Sequence, residues 1–236
     1  MARQWMISAA LAAGAMLLCA WSPAAASHAI YTGRIGSHDI TLVVHSRNAV
    51  QRAIYAYDRH RTPIRLKPAF LHEIRDFGMD ELDGAGLPSA RLRFDRASFH
   101  RATPRLTGTW TDYRSGRTLP LELELVATLD LDGAWPAASH ALLQAASTER
   151  VYVQVPMPDE RTPVTHIEIM DKATGRLRQT LTLAQPACNL GIETVQVAIE
   201  RGRTQLRLPQ SAQCPGAVYE WNPTTQTFED LLDPSA

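Results

Sequence analysis

Alternation of apolar and polar residues is the feature that most limits how this chain can fold. Residues 40–45 (ITLVVH) place Ile40, Leu42 and Val44 on one face, and residues 119–125 (LPLELEL) alternate four leucines with one proline and two glutamates. A period of two is the spacing of β-strands, whereas helices repeat every 3.6 residues. Further short candidate strands, separated by turn residues, are Val50–Tyr57, Ile64–Lys67, Phe70–Arg75, Ala90–Phe94 and Leu106–Thr111. The pattern predicts an all-β fold built from antiparallel meanders.

The alternation stops near Leu131 and resumes after Thr148. Residues 132–138 (DGAWPAA) combine turn formers with small residues, and 139–146 fit either a short helix or an added strand. We therefore expect two antiparallel β-meander domains, 27–133 and 148–236, joined by a linker at 134–147. The length also allows one large all-β unit. Near the end of the chain, residues 228–232 are expected to form one helical turn.

The first 26 residues have the pattern of a secretory signal peptide. A basic head containing Arg3 precedes an apolar run over residues 6–21, and the small residues 24–26 (AAA) suit a signal peptidase. The run is too short and too interrupted for a membrane anchor. We therefore expect a periplasmic or secreted protein without a membrane anchor after cleavage.

Two of the three cysteines, Cys188 and Cys214, lie beyond this leader. Thiols exported to an oxidising compartment usually pair, so we predict one disulfide between them. The chain-entropy account gives such a loop a stabilisation of about 3–4 kcal/mol. A redox-active or metal-binding pair is the alternative, but the CxxC spacing and a nearby histidine are missing.

Charge and motifs exclude several functions. Lys and Arg together number 24, as do Asp and Glu, so the chain lacks the basic excess of a nucleic-acid-binding protein. Residues 72–76 (HEIRD) come within one position of the HExxH zinc signature, but Asp76 replaces the second histidine. Residues 128–133 (TLDLDG) start like a calcium loop, yet Ser139 stands where the distal carboxylate belongs. No GxSxG elbow is present. We expect no enzyme, no metal and no cofactor.

The C-terminal part resembles a known group of periplasmic β-proteins. Residues 164–171 (VTHIEIMD), 172–177 (KATGRL) and 219–228 (YEWNPTTQTF) are similar to the VCBS-like or FG-GAP-like group, to which the periplasmic inhibitors of invertebrate-type lysozyme are similar. The resemblance covers about 151–229 and implies a propeller-like or lysozyme-inhibitor-like fold. Residues 199–203 (IERGR) depart from the acidic loop of that group, which argues against calcium there.

The resemblance and the lack of a reaction signature favour a secreted envelope protein that acts by protein binding. A lysozyme-type peptidoglycan hydrolase is the expected partner, with the protein as its inhibitor or immunity factor. A carbohydrate-active hydrolase and a glycan-binding structural module are the alternatives. Ser115 and Gly116 match the first half of the Ser-Gly-x-x-Tyr loop of lysozyme inhibitors, but Leu119 replaces the tyrosine, which favours a plain hairpin turn. Because aromatic and arginine side chains anchor interfaces, the candidate binding residues are Tyr113, Arg114 and Arg117, or an acidic loop containing Asp80, Glu81 and Asp83.

Overall fold

A computed structural model describes residues 27–47, 49–69, 77–95, 103–130, 133–159, 161–187, 191–210 and 216–231. All secondary structure in these ranges is β, and every strand pairing is antiparallel, which confirms the predicted fold class. The strands are β1 (Ser27–Ile35), β2 (His38–Arg47), β3 (Ala49–Tyr57), β4 (Ile64–Ala69), β5 (Phe77–Leu82), β6 (Pro88–Phe94), β7 (Arg105–Asp112), β8 (Thr118–Asp130), β9 (Gly133–Trp135), β10 (His140–Ser147), β11 (Val151–Met157), β12 (Val164–Asp171), β13 (Leu177–Ala187), β14 (Gln196–Glu200), β15 (Arg203–Leu208), β16 (Ala217–Asn222) and β17 (Thr227–Asp230).

The first eight strands form a closed barrel. Each strand pairs with the next, and β8 returns to pair with β1 from Ile35↔Leu121 to His28↔Leu129. Closure leaves no open edge among these eight strands. The inward-facing positions of the alternating pattern fill the interior, which includes the fully buried Tyr31, Tyr55, Ile40, Leu92 and Phe94.

Two glycines allow the strands of the barrel to approach closely. Gly33 on β1 and Gly108 on β7 occupy inward-facing positions, because they lie on the same strand faces as the core residues Tyr31 and Leu106. A Cβ at Gly33 would overlap the carbonyl oxygen of Glu122, and one at Gly108 would overlap that of Arg93. Only glycine therefore fits at these two places, as is common where a barrel strand bends tightly.

A β-bulge at Val126 changes the side of the sheet that β8 presents to the barrel interior. The register with β1 passes from Tyr31↔Leu125 to Ile30↔Ala127, which leaves Val126 as the extra residue. Before the bulge, Leu121 and Leu123 point into the barrel. After the bulge, Ala127 and Leu129 point out of the barrel into a second core. One alternating sequence thus serves two cores.

This second core joins the outer wall of the barrel to two four-stranded sheets, β10–β13 and β14–β17. The barrel contributes Ile30, Val43 and Ile54 from its outer face. The two sheets contribute fully buried residues such as Ile167 and Leu206. Because this core is shared, the apolar faces of the open sheets are covered by the barrel wall.

Polar contacts reinforce the junctions between these units. Arg61, in the β3–β4 loop, donates from Nη1 to the carbonyl oxygen of Lys172 at 2.7 Å, and Lys172 Nζ donates to Thr62 Oγ1 at 3.0 Å. Gln179 links the two small sheets, because its Nε2 donates to Phe228 O at 2.8 Å and its Oε1 accepts from Phe228 N at 2.9 Å. The side-chain amide thus acts as a short stretch of β-pairing between β13 and β17.

Some local expectations are corrected. Residues 140–147, assigned to a linker, form β10, so the strand alternative for 139–146 is the correct one. The expected helical turn at 228–232 is wrong, because Thr227–Asp230 form β17. The predicted strand 70–75, the signal peptide at 1–26 and both Cys188 and Cys214 lie outside the described residues. The division into two domains stays a prediction.

Candidate functional site

Four hairpins meet at one end of the barrel, which we call the mouth. They connect β1 to β2, β3 to β4, β5 to β6 and β7 to β8. Odd-numbered strands of an up-and-down barrel all end on the same side. These loops therefore lie together, although they are spread over residues 36–117 of the sequence. Loops carried on a rigid barrel are common positions for binding residues.

On the outer side of the mouth, Asp80 holds Tyr113 in a fixed orientation. The Tyr113 hydroxyl donates to Asp80 Oδ1 at 2.7 Å, and Arg91 Nε donates to the same oxygen at 2.8 Å. The Arg91 guanidinium lies 5.7 Å from the centre of the Tyr113 ring. Burial alone would raise the pKa of Asp80, but the hydrogen bonds from Arg91 and Tyr113 and the charge of Arg91 outweigh it, so the pKa lies below its ordinary value.

Two further aspartates fix the backbone of the hairpin tips. Asp83 Oδ1 accepts from the backbone nitrogens of Ala85 and Leu87, each at 2.9 Å. Asp112 Oδ1 accepts from the backbone nitrogen of Ser115 at 2.6 Å and from the Ser115 hydroxyl at 2.7 Å. These two hydrogen bonds lower the pKa of Asp112. Gly116 then takes a positive φ of 70°. Ser115 and Gly116 therefore form the expected hairpin turn.

On the inner side, Glu81 is buried beneath the mouth with 6% of its surface exposed. Its Oε1 accepts from the Tyr55 hydroxyl, and its Oε2 accepts from Trp110 Nε1 at 3.2 Å. Burial, the largest effect, raises the pKa of Glu81, and the two hydrogen bonds offset that effect only in part. Burial and the nearby Glu81 also raise the pKa of Tyr55.

A cleft of about 560 Å³ opens above this network, and we call it the mouth cleft. The rings of Tyr57 and Trp110 are its half-buried aromatic groups, and the ring of His38 meets Tyr57 edge-on at 5.9 Å. Its rim carries His38, His60, Arg59, Arg117, Asp39, Asp58, Asp112 and Ser115. The mouth cleft thus combines an aromatic surface with a polar border.

The structure brings together residues that the sequence suggested separately. Tyr113 and Asp80 are in direct contact, and Arg114 and Arg117 are exposed on the same hairpin as Tyr113. The expected acidic loop is wrong in part, because Asp80 and Glu81 lie in β5, are nearly buried and point to opposite sides of the strand. Only Asp83 lies in an exposed turn.

Several residues of the mouth were not selected from the sequence. Arg91, Tyr55, Tyr57 and Trp110 all occupy ordinary strand positions. An alternating pattern gives no signal for such residues, because their contacts join strands that are distant in sequence. The one sequence signal of a buried polar network is the pair Asp80 and Glu81, which lies inside the otherwise apolar segment 77–82 (FGMDEL).

The remaining motifs gain no support as metal sites. Residues 72–76 of the near-zinc motif lie outside the described residues. Thr128 and Asp130 belong to β8, which pairs with β9. In the part of the chain that the structure describes, no group of three or more His, Cys, Asp or Glu side chains is arranged to hold a metal ion. The same part contains no helix with the length and apolar character needed to cross a membrane.

Comparison with known proteins adds no relative. No protein-family profile matches the chain, and no curated protein sequence matches it either. The resemblance to VCBS-like or FG-GAP-like proteins and to lysozyme inhibitors therefore stays a prediction.

Proposed function

We propose that this protein is a secreted binding protein of the bacterial envelope that inhibits a lysozyme-type peptidoglycan hydrolase, or gives immunity against one. Binding would use the tip surface, which we define as Leu87, Tyr113, Arg114 and Arg117. The observation that carries the proposal is the fixed, exposed aromatic ring at its centre. Tyr113 is 45% exposed although its hydroxyl is held by Asp80, and Leu87 on the neighbouring hairpin is 62% exposed.

Preorganisation gives this surface its value for binding. An interface residue that is already ordered loses little conformational entropy when a partner arrives. The Tyr113 backbone nitrogen donates to Ser89 O at 3.0 Å, so the two hairpins are joined through the main chain as well as through Asp80. Large aromatic side chains and arginines dominate the binding free energy of most interfaces. Tyr113 and its arginine neighbours therefore have the composition of an interface centre.

The charges of the tip surface favour an acidic partner. Arg114 and Arg117 are exposed on the β7–β8 hairpin, and neither forms a salt bridge with another described residue. Glycoside hydrolases cleave their substrates with a pair of carboxyl groups in a cleft. A narrow hairpin carrying two guanidinium groups would complement such a cleft in shape and charge. This complementarity supports a lysozyme-type hydrolase over a basic partner.

The proposal also includes export and a disulfide. The leader at residues 1–26 would direct the chain to the periplasm, where Cys188 and Cys214 would oxidise. Mass spectrometry of protein purified from periplasm tests both points, since it reports the N-terminal residue and whether the two thiols are alkylated without reduction. A mature chain that begins near Ser27 with both thiols protected is the expected result.

Inhibition is tested by adding the purified mature protein to cell-wall lysis assays with a panel of lysozymes. We expect at least one enzyme to be inhibited, and Tyr113→Ala with Arg114→Ala to weaken inhibition by about thirtyfold, which corresponds to about 2 kcal/mol. Unchanged lysis at micromolar excess across the panel would reject inhibition.

Matched controls separate the tip surface from general surface effects. Arg47→Ala removes an exposed arginine at the opposite end of the barrel, and Leu177→Ala removes a 52% exposed leucine on β13. Both controls should inhibit like the unmodified protein. If the Tyr113 and Arg114 variant also inhibits like the unmodified protein, binding occurs elsewhere.

A second candidate, a glycan-binding module, is favoured by a separate observation. The mouth cleft exposes aromatic rings within a polar border, which is a different chemistry from the tip surface. A pull-down from periplasmic extract distinguishes the two, because a hydrolase partner supports the first and a glycan supports the second.

A further inference from the structure

The carboxylate of Glu81 stands out as a buried group with an unusual set of partners. Burying a carboxyl group is unfavourable unless its oxygens are hydrogen-bonded, and no arginine or lysine among the described residues is paired with this one. Both donors are aromatic side chains, Tyr55 and Trp110. Glu81 therefore fixes the orientation of two rings at the top of the barrel interior.

These fixed rings build the aromatic part of the mouth cleft. Trp110 lines the cleft directly, with its indole N–H turned down to Glu81. Tyr55 meets Tyr57, the other aromatic group in the lining, edge-on at 5.4 Å. The buried carboxylate thus orients Trp110 directly, and it orients Tyr55, which packs against Tyr57.

The charged groups on the rim differ in how fully they are engaged. Asp39 Oδ1 accepts from Arg34 at 2.8 Å, Asp58 Oδ1 accepts from Thr41 at 3.2 Å, and Asp112 is used by the Ser115 turn. In contrast, Arg59 and Arg117 line the cleft without an ion-pair partner among the described residues. Both guanidinium groups of the rim can therefore pair with an anionic ligand.

We propose that the mouth cleft binds an acidic saccharide, whose ring stacks on Trp110 and Tyr57 and whose carboxylate pairs with Arg59 and Arg117. The C–H face of a sugar is apolar enough to lie on an aromatic ring, while its hydroxyls meet the polar border formed by His38, His60 and Ser115. The volume of about 560 Å³ lies in the usual range of small-ligand sites. A neutral or basic ligand would leave the two guanidinium groups unpaired.

Calorimetry on the mature protein tests this site with two acidic probes. One is a soluble tetrasaccharide of alternating N-acetylglucosamine and N-acetylmuramic acid, and the other is tetragalacturonate; each is compared with its carboxyl-reduced form. We expect at least one acidic probe to bind about tenfold more tightly than its reduced form. Equal binding of acidic and reduced forms, or no binding of either probe at millimolar concentration, would overturn the proposal.

Variants connect that binding to the mouth cleft. Trp110→Ala should weaken binding about tenfold, Trp110→Phe should largely preserve it, and Arg59→Ala should remove the preference for the acidic form. Arg47→Ala, at the other end of the barrel, is the matched control. Because Trp110→Ala can also disturb folding, the indole N–H resonance of Trp110 in the unmodified protein provides a second readout. It should shift on adding the acidic probe, and an unmoved resonance during binding would place the ligand elsewhere.

Failure here can be told apart from failure of the proposed inhibitor function. Arg59 and Trp110 belong to the mouth cleft only, whereas Tyr113 and Arg114 belong to the tip surface only. Loss of the preference for the acidic form in Arg59→Ala, with inhibition retained, supports two separate surfaces. Loss of both in that variant contradicts their separation.

Discussion

Asp80 and Glu81 are adjacent in β5, yet they occupy opposite environments. Asp80 points out of the barrel to Arg91 and Tyr113, and its pKa is lowered because these partners outweigh its burial. Glu81 points inward to Tyr55 and Trp110, and burial raises its pKa. The pleat of one strand thus places one carboxyl group in a charged network and the next in a neutral one.

This difference shows how the two sides of one barrel strand can support two different surfaces, the tip surface and the mouth cleft. The outer network holds Tyr113 of the tip surface, and the inner network holds Trp110 of the mouth cleft. In both cases an acidic group is buried, and its oxygens are used to orient an aromatic ring. The acidic residues therefore act as supports, and the exposed aromatic and basic residues are the expected contact groups.

The largest expected loss of stability comes from disturbing the barrel wall that both networks share. Gly108 lies two residues before Trp110 in β7. Gly108→Ala adds a Cβ that overlaps the carbonyl oxygen of Arg93. We expect a loss of at least about 4 kcal/mol or failure to fold. Gly84→Ala is the control, since nothing lies within 4 Å of a Cβ there. Denaturant unfolding measures both, and equal stabilities would contradict the close strand approach.

A smaller effect is expected when the inner network alone is broken. Glu81→Leu leaves the Tyr55 hydroxyl and the Trp110 N–H without their acceptor, which should cost about 2–3 kcal/mol in the free energy of unfolding. The tip surface should remain intact, because Asp80 keeps Arg91 and Tyr113. Chemical denaturation and inhibition assays on the same variant check this. Lost inhibition would show that the two sides are coupled.

The outer network should contribute less to the free energy of unfolding than the inner network, and its contribution should depend on pH. Asp80→Asn is expected to cost about 1–2 kcal/mol at neutral pH, because a charged hydrogen-bond acceptor is lost. The folded-state pKa of Asp80 is lowered, so its stabilisation is present above the unfolded-state pKa and is lost as the pH falls through the folded-state pKa. Thermal melts from neutral to acidic pH should therefore show the variant and the unmodified protein converging. A constant gap would contradict the ionic character of this network.

The smallest change in stability is expected for Glu81→Gln, and its pH dependence should be opposite in sign to that of Asp80→Asn. Glu81→Gln preserves shape, so the stability change should stay within about 1 kcal/mol. Because the folded-state pKa of Glu81 is raised, its favourable contribution is present below the unfolded-state pKa and is lost as the pH rises through the folded-state pKa. The glutamine variant should thus gain on the unmodified protein as the pH rises from acidic to neutral. Parallel melting curves would argue against a raised pKa.

Much of the fold could be predicted from the sequence because strand alternation is a local property. The segment 119–125 predicted a half-exposed strand, and it lies in β8. The bulge at Val126 could not be predicted, since apolar residues continue on both sides of it and the change of core depends on the register with β1. Closure of the barrel depends on the pairing of β1 with β8, which no local pattern records.

The site was predicted less completely. Residue type points to Tyr113, Arg114 and Arg117, but the three acidic residues within 80–83 predict an acidic loop, whereas β5 extends to Leu82. Pairing with β4 and β6 makes Asp80 and Glu81 strand residues. Contacts with Arg91, Tyr55 and Trp110 on other strands accompany their burial. Composition reports charge, but tertiary partners decide whether a charge is buried.

Carboxyl-carbon NMR titration of the protein tests the central claim most directly, because it measures Asp80 and Glu81 separately in one sample. The account predicts that the Asp80 resonance titrates below the ordinary aspartate range and the Glu81 resonance above the ordinary glutamate range, since Arg91 and Tyr113 hold the first and burial dominates the second. Ordinary values for both residues, or shifts in the reverse directions, would contradict it.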